Sequence, residues 1–385
     1  MGDEQERVAR MALSYVVEAG DLRLRDRLRV QSAADVWRQV RSARPDDAWS
    51  RRAELVDLPS LAALAAKHDL RFIIPGDDEW PPSLTDLDQS EPVQRWGGMP
   101  VGLWVRGNGS LARLTSRAVA VVGCRACTAY GERVSTELGA GLAGGGATVV
   151  SGGAYGIDAA AHRGALGEDG PTVAVLAGGL DHVYPKGNTN LVNAIAEECV
   201  VVSEAPPGAT PSRRRFLTRN RLIAALSAGV VVVEGTSRSG ARNTASWAGS
   251  MFRHVMAVPG PVGNSTSYLP HWLIKHEQAA LVTGVADVRE LVAPMGEDLV
   301  ERERQPRLLD ELEPEQAAVY EALPSRGSRS TGAIALEAGV HVRVALIALE
   351  ELRARGLVAA ASDGGWRLGV VQDRPVRSAQ EQGGG

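Results

Sequence analysis

The chain has 385 residues, 44% of them apolar, with 42 Lys and Arg against 46 Asp and Glu. That length asks for two or three domains, each with enough apolar residues for a core. The net charge of −4 argues against blanket affinity for nucleic acid or membrane, so any anion site must be a local cluster of basic groups.

Cys124, Cys127 and Cys199 are too few and odd in number for a disulfide framework, which points to a reducing compartment. The N-terminal stretch MGDEQERVARMALSYVVEAG carries acids and no long apolar run, so no signal peptide is read. No stretch reaches roughly eighteen apolar residues, the length of a membrane span. The expected location is the cytoplasm, with no membrane partner.

Residues 1–75 read as a helical domain, because ARMALSYVVEAG, SAADVWRQV and LPSLAALAAKHDL repeat their apolar residues at helical spacing. A turn-rich bridge follows, in which Pro75, Pro81, Pro82 and Pro92 break any helix. From Arg117 short β-branched runs alternate with helical stretches. The predicted strands are 118–123, 147–152, 172–178, 199–204, 230–234 and 254–260, with 279–284 as a seventh. They are apolar on both faces, as buried parallel strands are. The pattern predicts an α/β domain over residues 76–293 with a doubly wound, mostly parallel sheet, whose ligands bind beyond the carboxyl ends of the strands. Residues 294–307 read as a linker. Residues 308–370 read as three short helices and a hairpin, a winged-helix pattern. The tail, 371–385, is expected to be disordered.

Three strand ends are candidate anion sites. The first carries Gly123 and Arg125, the second Ser151, Gly152 and Gly156, and the third Thr236, Ser239, Gly240 and Thr244. Glycines there let backbone N–H groups face an anion, and Arg125 adds bidentate reach to phosphate. The same glycines also suit plain tight turns, and Ser239 suits a helix cap. The first turn, GCRACTAYG, lacks G-x-G-x-x-G and the second strand lacks a terminal acid, so NAD is disfavoured. No G-x-x-x-x-G-K-[ST] is present. No cofactor or metal is expected: the Cys124–Cys127 pair has no second pair to complete a zinc site. Asp158 reads as a cap or loop brace, and His162, four residues on, as its partner on a helix surface.

The segment RRRFLTRNR, Arg213 to Arg221, places five arginines and Phe216 before an apolar helix, with no acid among them. Asn220 reads as the N-cap and Arg221 as the first helical residue. Arginine there opposes the helix macrodipole unless an anion lies against it. A basic surface is the plain reading. An aromatic among arginines, with charge for several phosphates, suggests single-stranded nucleic acid.

VAVVGCR, SGGAYGIDAAAHRGAL, TVAVLAGGLDHVYPKGN, VVSEAPPGATP, FLTRNRLIAALS and VMAVPG occur in this order. In these motifs the chain resembles the DprA/Smf family, the DNA-processing proteins of natural transformation, over about residues 80–285. The resemblance implies an extended Rossmann-like domain between an N-terminal helical domain of the SAM or helix-hairpin-helix kind and a C-terminal winged helix. It implies a homodimer that binds single-stranded DNA, protects it and helps load the RecA recombinase, with no catalytic turnover. The implied DNA pocket falls on Arg125, on Ser151, Gly152 and Gly156, and on Arg213, Phe216, Arg219, Asn220 and Arg221. Gly123, Ser239 and Gly240 adjoin it, and Asp158, Glu234, Pro259 and Gly260 are assigned structural roles. Cys124 stands where the family has Ser, so the paired cysteines read as accidental.

Two other functions are weighed. A nucleotide N-glycosidase on a related sheet would use Glu234, Glu204 and Asp158, but its P-G-G-x-G-T-x-x-E signature is absent. A winged-helix regulator is disfavoured because residues 307–367 hold seven arginines against nine acids.

Overall fold

The computed structural model describes residues 2–43, 47–293 and 312–369. They fall into two compact units, one on either side of residues 294–311. The expected linker and tail lie outside the described residues.

The first unit is built on a nine-stranded sheet: β1 Leu70–Ile73, β2 Leu103–Arg106, β3 Ala118–Val122, β4 Thr148–Ser151, β5 Thr172–Leu176, β6 Val200–Ser203, β7 Gly229–Val232, β8 His254–Ala257 and β9 Ala280–Leu281. Its order is β1-β2-β6-β5-β4-β3-β7-β8-β9. From β6 through to β9 every neighbour is parallel, while β1–β2 and β2–β6 are antiparallel. This is an α/β Rossmann-like fold. Chain order reverses direction between β3 and β7, and that switch point is where open α/β sheets bind their ligands.

The central strands are buried on both faces, with a period of two. In β3, Ala118, Ala120 and Val122 join the core on one side, and Val119 and Val121 the core on the other. β1 and β2 correct the sequence reading. Leu70–Ile73 closes what was read as a helical segment, and neither strand was expected. Both are four residues long and carry an arginine. Arg71 pairs with Glu79 at 2.7 Å and donates to the carbonyls of Gly107 and Gly109.

Five helices precede the sheet: α1 Gly2–Val16, α2 Leu22–Leu28, α3 Ala33–Ser42, α4 Ala48–Ala53 and α5 Leu58–Lys67. They belong to the same compact unit. Arg7 donates to the Phe72 carbonyl and pairs with Asp77 at 2.7 Å, and Arg10 donates to the Val101 carbonyl. The remaining helices are α6 Asp86–Gln89, α7 Leu111–Thr115, α8 Ala129–Gly144, α9 Ile157–Gly167, α10 Thr189–Glu198, α11 Arg213–Ala225, α12 Ala241–Ser250, α13 Tyr268–Lys275 and α14 Val285–Val292. The Rossmann-like helices α8 and α9 pack closely enough that a side chain on Gly139 or Gly164 would strike backbone of the other helix.

The second unit has α15 Pro314–Glu321, α16 Thr331–Ala338, α17 Val342–Ala354 and an antiparallel hairpin of β10 Val358–Ala360 with β11 Trp366–Leu368. Val319, Ile334, Leu349, Leu352 and Trp366 form its core. Among the described residues no single helix is long and apolar enough to cross a membrane.

Candidate functional site

Three turns converge at the carboxyl ends of β3, β4 and β7. The first, after β3, is anchored where Cys124 N–H donates to the Glu234 carbonyl at 2.9 Å. Glu234 fixes it further by accepting from Thr128 N–H at 2.9 Å and the Thr128 hydroxyl at 2.7 Å, and it ties in Thr266 at 2.9 Å. The second turn, after β4, is braced by Asp158, which accepts from Gly152 and Ala154 N–H at 3.2 and 3.4 Å. Gly156 has φ +75°, and a side chain there would strike the Cys124 and Arg125 carbonyls, so glycine allows the first two turns to meet. The third turn, after β7, closes with Ser239 N–H donating to the Thr236 carbonyl at 3.0 Å.

Helix α11 closes the other side of a cleft at the switch point. Gly123, Arg125, Asp158, Phe216, Arg219, Asn220 and Gly240 are among the residues lining this cleft. Arg219 is 7% exposed, and it reaches past Gly152 to donate to the Val175 carbonyl of β5 at 2.7 Å. A side chain on Gly152 would collide with the Arg219 guanidinium, so glycine is required for that reach. Burial pushes the Arg219 pKa down to about 10, against the pull of Asp158, so it remains a cation at neutral pH. Burial likewise raises the Asp158 pKa, opposed by Arg219 and two backbone N–H groups.

Arg125 is exposed, and its guanidinium lies 4.6 Å from the centroid of the Phe216 ring; that of Arg219 lies 5.9 Å from it. Phe216 and Arg125 also wall a second, adjoining pocket with Tyr155, Tyr184 and Pro211. Tyr184 is tilted against Phe216 with centroids 5.9 Å apart, and both tyrosines are nearly half exposed, at 46% for Tyr155 and 47% for Tyr184. Fixed cations and exposed aromatic faces thus alternate at one opening. That arrangement can hold phosphates and stack bases.

Comparison with known proteins bears on this geometry. Residues 71–293 match the family model described as DNA recombination-mediator protein A. Over 300 residues, 77% of each chain, the sequence is 47% identical to the putative DNA processing protein DprA of Mycobacterium tuberculosis. The chain belongs to this family. Protein Smf of Escherichia coli is 41% identical over 220 residues, 57% of this chain and 56% of its own. The X-ray structure of DNA processing protein A from Streptococcus pneumoniae superposes with a TM-score of 0.59 at 31% identity, covering 74% of this chain and 97% of that one.

Within the recombination-mediator fold the arginines of RRRFLTRNR have divided duties. α11 begins at Arg213, with Ser212 as its cap accepting from Arg215 N–H at 3.2 Å. Asn220 is therefore not an N-cap. It lies mid-helix and ties α11 to α12 through Asn243 at 3.2 Å. Arg221 is not at the cleft: its guanidinium is wholly buried against Glu204 at 2.5 and 2.7 Å. Arg215 is engaged with Glu18 at 3.3 Å and the Thr210 carbonyl at 2.8 Å. Arg213 and Arg214 line a separate groove on an adjoining face of α11. Ser151 also leaves the cleft, since its buried hydroxyl donates to the Val121 carbonyl at 2.6 Å.

His162 does not pair with Asp158 on a helix surface. It is fully buried, with Nδ1 2.7 Å from the Thr172 hydroxyl. That hydroxyl donates to the Val149 carbonyl. Pro259 accepts from the Tyr130 hydroxyl at 2.6 Å, and the Gly260 carbonyl lies 2.9 Å from His271 Nε2. The Cys124 thiol pKa is pushed up to about 12 by burial and by Glu234, which removes its thiolate character. Tyr155 and Tyr184 were missed by sequence reasoning. Each lies outside the basic run, and only the fold brings them to Phe216.

Proposed function

We propose that this chain binds single-stranded DNA across the cleft at the carboxyl ends of β3, β4 and β7. Arg125 and Arg219 meet phosphate charge there, helped by N–H groups of the glycine turns. A base stacks on Phe216, with Tyr184 and Tyr155 beside it. The observation that carries this reading is the Arg125–Phe216–Arg219 stack, open to two adjoining pockets. Stacking on a side chain needs a base free of its duplex neighbours, which favours a single strand.

From this binding and from membership of a recombination-mediator family follows the larger proposal. The protein acts in the cytoplasm as a homodimer, protects incoming single strands and helps load RecA on them, without turnover of its own. The acids that an N-glycosidase would need are committed elsewhere: Glu204 to Arg221, Glu234 to Thr128 and Thr266, and Asp158 to its turn.

The direct test is the double variant Arg125→Glu with Phe216→Ala. Neither residue is in the core, so the fold should survive, as circular dichroism can check. Loss of one base stack alone is expected to weaken single-strand binding by about tenfold or more. A gel shift in which the double variant binds like the wild type would falsify the proposal.

A further inference from the structure

The groove beside the cleft, on the adjoining face of α11, has the composition of the cleft but lies outside it. It is lined by Gln94, Arg95, Trp96, Arg213, Arg214 and Leu217. Val93 and Trp96 exchange both backbone hydrogen bonds, at 3.0 and 3.1 Å, around a two-residue hairpin turn. Gln94 and Arg95 at its tip have φ +50° and +69°. Such a turn normally takes Asn-Gly, so long side chains at both positions hold the backbone in a strained left-handed conformation. The strained tip displays Arg95.

Trp96 is half-buried, with part of its surface against the core. The guanidinium of Arg214 lies 4.1 Å from a Trp96 ring centroid and that of Arg95 5.5 Å. Among the described residues the guanidinium groups of Arg95, Arg213 and Arg214 have neither an ion pair nor a hydrogen bond. Arg7, Arg10, Arg71, Arg215 and Arg221 of the same unit each pair with a carboxylate. Arg214 still feels the charges of Glu18 and Asp21, but Arg95 and Arg213, without an ion pair beside a tryptophan in an acidic protein, make a surface suited to a polyanion with stacking faces. Arg213 is three residues before Phe216, so the groove and the cleft occupy neighbouring faces of one helix, about 10 Å across.

We propose that this groove is a second single-strand subsite, which takes the nucleotides running on from the cleft past the first turn of α11. Trp96 stacks a base, and Arg95 and Arg213 hold flanking phosphates. The proposal rests on the cleft being a single-strand site.

The test is the length dependence of binding by the full chain to oligothymidylates of about 4 and about 16 nucleotides, which span common single-strand site sizes. Arg95→Glu with Arg213→Glu should weaken binding of the long oligomer about tenfold or more. It should also flatten the log–log salt slope by about 0.7 for each phosphate released, and leave the short oligomer within about twofold of wild type. Trp96→Ala should show the same length dependence, and Trp96→Phe should restore most of the loss. Equal weakening at both lengths, or none at either, overturns the subsite. Failure of the cleft reading gives a different pattern, in which Arg125→Glu with Phe216→Ala changes neither length.

Discussion

Arg221 is bound on three sides inside α11: by both Glu204 oxygens, by the Thr218 carbonyl at 3.0 Å and by the Gly98 carbonyl at 3.0 Å. Removing the cation leaves Glu204 a buried charge without its counter-ion. Arg221→Ala is therefore expected to cost about 3–5 kcal/mol of stability, read from urea unfolding. A stable variant that merely loses DNA affinity would return Arg221 to the interface. Arg125 has no such structural commitment, and its substitution should leave stability within about 0.5 kcal/mol of wild type. The contrast explains how much of RRRFLTRNR was legible. Its concentration of charge and the aromatic among it were plain. Its division among core, cleft and groove depends on where the helix begins. Asn220 looked like a cap, but arginine is itself a good helix former, so the run extends the helix two turns toward Ser212. In that longer helix Arg221 faces inward onto Glu204 and Arg219 faces the cleft.

At the scale of elements, the second turn couples sheet to helix. Gly152→Ala puts a methyl group into the Arg219 guanidinium. The expected result is a loss of about 1–3 kcal/mol through overpacking, with weaker single-strand binding because Arg219 is displaced. Binding and stability both unchanged would show that Arg219 can relocate freely.

His162 joins α9 to β5 through Thr172, and burial lowers its pKa to about 3 from an ordinary 6.5. The unfolded chain takes up this proton below pH 6.5 and the folded chain does not, so stability must fall as pH drops from about 6.5 toward 3. Each pH unit in that window removes up to about 1.4 kcal/mol. The raised Asp158 pKa acts in the opposite sense, so the comparison is with His162→Gln, whose acid loss should be shallower than that of the wild type. Equal pH slopes would remove His162 as the cause.

The parallel strands were legible because each is a short apolar run buried on both faces. β1 and β2 were not, because the antiparallel strands at one end of the sheet are brief and carry arginines whose partners lie in other segments. Tyr184 was illegible for the same reason: its neighbour Phe216 is 32 residues away.

At the scale of the molecule, a net charge of −4 makes the concentration of arginines at the cleft and groove of α11 a local basic patch on an acidic protein. Binding should therefore be confined to that region and depend steeply on salt. The six ordered motifs made the family legible before the fold was known, since they fall on the sheet and on the turns and helix that build the cleft. The measurement closest to the central claim is a salt-titrated binding experiment comparing a single strand with a duplex of the same sequence. The single strand should bind more tightly throughout, with a log–log salt slope of about −0.7 per phosphate neutralised. A duplex bound equally well, or single-strand affinity indifferent to salt, would contradict the account.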